Sequence, residues 1–268
     1  MNLFFRVLRK RPDGYHDIAS LFQAIDLFDR LFFSWVSHDQ ITCSDPTIPC
    51  DNTNLVAKAL TQFRAHFPTK PIHIHIEKQI PIQAGLGGGS SNAATTLWAL
   101  NELTGRPATL PQLIEMGAAI GSDVPFFFST GTAYCTGRGE ILEPFALPTT
   151  LTGWLAKPTY GLSTPLVYKN TKIEELIPRD PLTALKSYPC FFNDLEIPSF
   201  RLEPRLITLR DELQKSFQNV TMTGSGTAFF CLEGDPRPIE GVTFFPFRSI
   251  QCHEAGSLFV GMRSSPSF

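Results

Sequence analysis

Residues 81–94, Pro-Ile-Gln-Ala-Gly-Leu-Gly-Gly-Gly-Ser-Ser-Asn-Ala-Ala, constrain this chain more than any other stretch. Gly85, Gly87, Gly88 and Gly89 lack a Cβ, so the backbone there can take positive φ and come close to a ligand. Four such residues are an entropically poor way to join two elements unless the bare backbone is itself useful. Ser90 and Ser91 stand where a helix begins, and Ala93, Ala94, Leu97, Trp98 and Leu100 supply helical periodicity behind them. A helix N-terminus offers unpaired N–H groups and about half a unit of positive charge, so the expected ligand is a polyphosphate. Two familiar loops are excluded by the letters. No lysine follows the glycines, as a Walker A loop requires, and the third glycine of a dinucleotide fingerprint is replaced by Ser90 or by Asn92, depending on the starting glycine.

At 268 residues and a net charge of -2, the chain is long enough for one large or two small domains and has no excess of positive charge. Neither nucleic acid nor a membrane is an expected partner. The cysteines at 43, 50, 135, 190, 231 and 252 show no Cys-x-x-Cys pair and no zinc spacing, which predicts reduced core thiols. No run of about twenty apolar residues and no basic-then-apolar leader is visible, so a soluble, cytoplasmic protein is expected.

Residues 1–8 read as a strand, and Pro12-Asp13-Gly14 is a turn signal that presents Tyr15 and His16 together. Such a pair can stack on and hydrogen-bond a planar base, or be two neighbours on a surface turn. Residues 21–35 fit a strand and its neighbour. Asn52 and Thr53 can cap a helix with apolar positions from 55 to 67, closed by Pro68. Ile72, Ile74 and Ile76 then alternate with His73, His75 and Glu77 as in a half-buried strand. With no third ligand in view, the two histidines are expected as exposed strand residues and not as metal ligands. A helix over 110–121 follows the loop helix. Asp123 comes next, between Gly121 and the apolar residues 126–128, either as a turn residue or as a placed carboxylate. A strand and turn over 131–140 precede a change of texture at 144–150, read as a domain boundary. Beyond it the pattern predicts a strand at 152–156 and a helix over 202–217 with Leu206, Leu209, Leu213 and Phe217 on one face. Strands flank Gly224-Ser225-Gly226, and another is expected near 242–247.

Seven stretches together resemble the GHMP kinase superfamily. They are Asn2-Leu3-Phe4, Arg11-Pro12-Asp13-Gly14-Tyr15-His16, Leu21-Phe22-Gln23, Gly85-Leu86-Gly87-Gly88-Gly89-Ser90-Ser91-Asn92-Ala93-Ala94, Gly121-Ser122-Asp123-Val124-Pro125-Phe126-Phe127, Asn193-Asp194-Leu195-Glu196 and Thr223-Gly224-Ser225-Gly226. Within the superfamily they are most similar to the branch that acts on a cytidine-diphosphate-linked methylerythritol in non-mevalonate isoprenoid biosynthesis. The resemblance implies an α+β, two-domain GHMP kinase fold. A ribosomal-protein-S5-domain-2-like α/β domain would span 1–149 and a ferredoxin-like domain 150–268, with the active site in the cleft between them. The implied reaction moves the γ-phosphoryl of ATP, with Mg²⁺, to the 2-hydroxyl of the methylerythritol. Asp123 matches the catalytic carboxylate. Gly85, Leu86, Gly87, Gly88, Gly89, Ser90, Ser91 and Asn92 match the phosphate loop, and Lys78 and Asn54 face the nucleotide. Ser90 or Ser91 would touch Mg²⁺, whose other ligands stay unassigned. Asn2, Tyr15, His16, Gly224, Ser225 and Gly226 fall on the substrate side, with Phe191 stacking on the cytosine. Monomer and homodimer both stay open.

One departure bears on activity. The family's first strand begins Pro-Ala-Lys, an apolar residue, then Asn-Leu, and Met1 occupies the apolar position, so that lysine would precede the chain. Lys10 lies at the far end of the strand, and a start placed too far downstream is the expectation. Two other readings stay open: a GHMP kinase for another small alcohol such as homoserine or mevalonate, and a nucleotide-binding protein inactive for want of that lysine.

Overall fold

The computed structural model describes residues 1–256 and 258–259. In chain order its first elements are β1 (Asn2–Lys10), β2 (His16–Gln23), β3 (Arg30–Trp35), β4 (Gln40–Cys43), α1 (Leu55–Arg64), β5 (Ile72–Glu77), α2 (Gly88–Leu103) and α3 (Leu110–Ile120). A 3-10 turn (Pro125–Phe128), β6 (Thr132–Thr136), β7 (Ile141–Pro144), β8 (Thr152–Pro158), α4 (Thr164–Lys169), a second 3-10 turn (Ile173–Glu175) and α5 (Pro181–Lys186) follow. The remaining elements are β9 (Phe192–Asn193), α6 (Glu196–Leu202), α7 (Arg205–Leu213), β10 (Phe217–Met222), β11 (Phe229–Gly234) and β12 (Val242–Arg248).

Alternation explains the smallest sheet. Ile72, Ile74 and Ile76 bury one face of β5, which lies between β3 and β4, against α1 and α2. Val56, Ala59, Leu60 and Phe63 from α1 and Ala93, Ala94, Leu97 and Leu100 from α2 meet them, so the glycine loop is carried between a rigid strand and a helix packed on it. On the other face the Thr42 hydroxyl lies 2.8 Å from ring nitrogens of both His73 and His75, which are half-buried. Among the described residues no group of three or more His, Cys, Asp or Glu is arranged to hold a metal.

The five-stranded sheet has the order β7-β6-β2-β1-β9, and the four-stranded sheet β10-β11-β8-β12. β1 is an interior strand, with apolar clusters enclosing it, Leu3 and Phe4 entering one and Phe5 and Val7 another. β9 joins β1 in parallel, so a segment from the second half of the chain completes the sheet begun by the first. Asp194 secures this junction. Its carboxylate accepts from Arg6 Nη1 at 2.6 Å and from the Val7 N–H at 2.9 Å, while its own N–H donates to Phe5 O.

Several boundaries differ from the sequence expectations. Asn54, not Asn52 or Thr53, caps α1, because Asp51 accepts from the N–H and hydroxyl of Thr53 and closes a turn before the helix. α1 stops at Arg64, and Phe67 packs back on Phe63 from outside it. α2 starts at Gly88, ahead of Ser90, and residues 126–128 form a 3-10 turn. The expected helix over 202–217 is the shorter α7, Arg205–Leu213; Leu202 ends α6 instead, and Pro204, which has no N–H to continue α6, separates the two. Leu206, Leu209 and Leu213 are buried as expected, but Phe217 opens β10. Cys135 and Cys231 are core thiols as expected, whereas Cys50 is exposed. No helix among the described residues is long and apolar enough to cross a membrane. Residues 257 and 260–268 of the expected second domain lie outside the described residues.

Candidate active site

The glycine loop is suspended from Asp29, an acid between β2 and β3 that sequence reasoning missed. Its carboxylate is 1% exposed, pairs with Lys78, and accepts from the N–H groups of Gln79 (2.7 Å) and Ile80 (2.8 Å) and from Asn92 Nδ2 (2.9 Å). One buried carboxylate thus fixes both the entry to the loop and the first turns of the helix behind it. Gly85 has φ +70°, and a Cβ on it would lie 2.0 Å from Thr223 O, so only glycine lets the loop rest on the β10–β11 hairpin. The Thr223 hydroxyl donates to Gly85 O at 3.2 Å, and the Thr227 N–H donates to Gln83 O at 3.1 Å. Gly87, left-handed at φ +67°, caps α2 with no side-chain hydrogen bond. The first-turn N–H groups of Gly88, Gly89 and Ser90 are therefore left for a ligand.

Across a cleft of about 350 Å³ stands Asp123, in the turn after α3. Among the described residues its carboxylate makes no hydrogen bond. The side chain is exposed, and the Gly139 turn packs against one side of it: a Cβ built on Gly139 would lie 3.6 Å from Asp123 Oδ1 and equally close to Ile18. Loss of solvation beside the protein raises the carboxyl pKa above its ordinary value, opposed in part by the Met1 ammonium.

The Gly137-Arg138-Gly139 turn runs from Asp123 toward Tyr15, held at the start of β2 by Ile18 N–H donating to Gly137 O at 2.7 Å. The Arg138 guanidinium lies over the Tyr15 ring, 5.0 Å from its centre. His16 is buried and 5.3 Å from Tyr168, ring to ring. Burial, with a smaller contribution from Lys10, lowers the His16 pKa and keeps the imidazole neutral. Burial, then the nearby Asp123 charge, raises the Tyr168 pKa and keeps the phenol a donor.

Of the residues singled out from sequence, Asn2, Asn54, Lys78, Gly85, Leu86, Gly87, Gly88, Gly89, Ser90, Asn92, Asp123, Gly224 and Ser225 line this cleft. Asn54 is committed to capping α1, accepting from Val56 N–H and donating to Pro49 O. Asn2 is tied on both sides, its N–H to the Thr223 hydroxyl and its amide to the Ser20 hydroxyl. Ser91 and Gly226 lie outside the lining, their N–H groups closing local turns onto Gly87 O and Thr223 O. Tyr15 and His16 flank the lining residues Arg138 and Tyr168. Phe191 is not at that end. It packs edge-on against Phe230 and Tyr188, beside β9, where Phe192 stacks on Phe4. The aromatic that meets His16 is Tyr168, on the first turn and a half of α4, in the segment opened by Ser163-Thr164-Pro165.

A glycine-capped helix facing a carboxylate across a cleft is the arrangement of the GHMP kinase class, and residues 54–131 match the family described as GHMP kinases N terminal domain. The chain is 48% identical over 238 residues to the 4-diphosphocytidyl-2-C-methyl-D-erythritol kinase of Protochlamydia amoebophila (strain UWE25), a match covering 87% of this chain and 81% of the relative. It is 43% identical over 255 residues to the chloroplastic 4-diphosphocytidyl-2-C-methyl-D-erythritol kinase of Oryza sativa subsp. japonica, covering 89% of this chain and 63% of that one. A crystal structure of 4-(cytidine 5'-diphospho)-2C-methyl-D-erythritol kinase superposes with a TM-score of 0.77 at 33% identity, over 93% of this chain and 96% of the other. The chain belongs to the 4-diphosphocytidyl-2-C-methyl-D-erythritol kinase family.

Proposed function

We propose that this protein transfers the γ-phosphoryl of ATP to the 2-hydroxyl of 4-diphosphocytidyl-2-C-methyl-D-erythritol. The observation that carries the reading is the unbonded Asp123 carboxylate in the same cleft as the uncapped start of α2, with the His16–Tyr168 pair at its far end. Phosphoryl transfer asks a protein for positioning and charge stabilisation more than for covalent chemistry. The N–H groups of Gly88, Gly89 and Ser90 cradle the ATP phosphates at the positive end of the helix. Ile48, Leu55 and Ile76 offer an apolar slot for the adenine beside Asn54 and Lys78. Asp123 accepts the proton of the attacking hydroxyl and holds its oxygen in line. Neutral His16 hydrogen-bonds the cytosine edge, and Tyr168 and Tyr15 supply ring faces.

Mg²⁺ binds through phosphates, waters and one or two protein oxygens. The Ser90 hydroxyl and the Asp123 carboxylate, neither hydrogen-bonded among the described residues, fit that donor set. Bound there, the ion would offset the charge of the transferring phosphoryl. The buried thiols of Cys135 and Cys231 support a cytoplasmic setting, and β8, beginning at Thr152, supports a domain division at 149/150.

The test is ADP release with Mg-ATP and, in turn, 4-diphosphocytidyl-2-C-methyl-D-erythritol, homoserine or mevalonate. It is run on the chain as given and on one with Pro-Ala-Lys placed before Met1. Release specific to the cytidine-linked alcohol in either form is expected. Equal or better turnover of homoserine or mevalonate would transfer the assignment to another GHMP kinase.

A further inference from the structure

We propose that Arg138 recognises the diphosphate that joins the cytosine to the sugar alcohol, and so sets specificity for a nucleoside-diphosphate-linked acceptor. The inference rests on the substrate reading above and adds to it the one part of the molecule for which no partner has been named.

Geometry leaves that part a single route. The base end of the cleft is His16 with Tyr15 and Tyr168, and the reacting end is Asp123. The Gly137-Arg138-Gly139 turn connects them: Gly137 O is bonded to Ile18 N–H two residues beyond His16, and Gly139 abuts Asp123. An acceptor with its base at one end and its hydroxyl at the other must carry its linking phosphates past Arg138.

Charge points the same way. Among the described residues that line the cleft, the cations are Lys78 and Arg138. Lys78 is bound to Asp29 at the nucleotide end, close to Gly88. Near Tyr15, Arg11 pairs with Asp13 and Asp17, each at 3.0 Å, and Arg9 with Asp17, while Lys10 sits opposite His16 across β1 and β2 and outside the cleft lining. Arg138 meets Glu140 only through Nε, at 3.3 Å, while the Glu140 carboxylate also accepts from the Arg138 backbone N–H at 2.6 Å. Both terminal guanidinium nitrogens make no hydrogen bond among the described residues. Glu140 on one side and the Tyr15 ring beneath fix the guanidinium plane with those two nitrogens unused. A pre-oriented fork of this kind suits bidentate contact with phosphate oxygens, which a lysine cannot reproduce.

Isothermal titration of cytidine, CMP and CDP into the parent, Arg138→Gln and Arg138→Lys, with ADP binding as the check on folding, tests the proposal. The parent is expected to bind CDP more tightly than CMP and CMP more tightly than cytidine. Arg138→Gln should weaken CDP by about 10- to 100-fold, the range for a hydrogen bond to a charged group, and leave cytidine nearly unchanged. Arg138→Lys should recover part of the loss, and added salt should weaken CDP binding in the parent more than in Arg138→Gln. A parent that binds cytidine but gains nothing from the phosphates overturns the proposal while sparing the substrate reading. Equal weakening of cytidine and CDP in Arg138→Gln also overturns it, because Arg138 would then only prop Tyr15. A parent that binds none of the three overturns the substrate reading itself.

Discussion

Asp123, the proposed general base, bears on stability as well as on activity. Loss of solvation raises its pKa, so the folded chain holds that proton to a higher pH than the unfolded chain does. Between the ordinary carboxylate value and the raised one the folded state binds more protons, and stability falls as pH rises through that window. At neutral pH the ionised group is a net cost. Asp123→Asn should therefore unfold at an equal or higher urea midpoint than the parent at pH 7, with the gap closing near about pH 4; a clearly lower midpoint at pH 7 would show the carboxylate to be held by favourable contacts instead. Tyr168 and Phe191 separate in a similar way. Tyr168→Ala should weaken cytidine binding and spare ADP, while Phe191→Ala should lose up to about 3 kcal/mol of stability and spare cytidine, as titration and urea unfolding together would show. Asp123 was singled out in the sequence as either a turn residue or a placed carboxylate, and only the family resemblance chose the second. Asp29 was not, since Leu27-Phe28 beside it read as strand and its partners come from residues 78–92. Tyr168 and Arg138 were missed because only folding brings the end of α4 and the turn between β6 and β7 to the turn before β2.

Among the elements, the loop and α2 show what glycine does and where it is indispensable. Gly85 and Gly14 both have positive φ, but a Cβ on Gly14 would meet nothing within 4 Å, whereas one on Gly85 would strike the Thr223 carbonyl. Gly14→Ala should cost only the backbone strain, about 1 kcal/mol. Gly85→Ala should cost more than that, because the loop must lift from the hairpin, and should also weaken ADP binding. Urea unfolding and ADP titration of the two variants check this; equal losses in both would mean that the Gly85–Thr223 contact carries no energy. The phosphate loop was readable from letters alone because its function lies in backbone conformation, which glycines announce. Helix ends were less so: the Asp51 turn displaced the cap of α1 to Asn54, and α7 starts only after Pro204 and stops at Leu213, leaving Phe217 to open β10.

For the molecule as a whole, the active site depends on a segment from late in the chain returning to β1. Asn193 Nδ2 donates to Met222 O and Gly224 O, both at 2.7 Å, while Asp194 holds Arg6 and Val7, so one dipeptide joins β1 to the hairpin on which the glycine loop rests. The Asn193-Asp194 motif was visible in the sequence, but its role was not, because neither partner is near it in the chain. Asp194→Ala leaves Arg6, only 12% exposed, without its counter-charge. It should cost about 3–5 kcal/mol by urea unfolding; a loss below about 1 kcal/mol would make the pair no more than a surface-like contact. In the proposed reaction Asp123 works on an acceptor hydroxyl across from phosphates held at the start of α2. That role is tested most directly by single-turnover transfer of the γ-phosphoryl from Mg-ATP to 4-diphosphocytidyl-2-C-methyl-D-erythritol in the parent and in Asp123→Asn, with ADP affinity measured on both. The expected result is a 2-phosphorylated product, formed about 10²- to 10⁴-fold more slowly in the variant with ADP affinity unchanged; transfer at the parent's rate in Asp123→Asn would contradict the account.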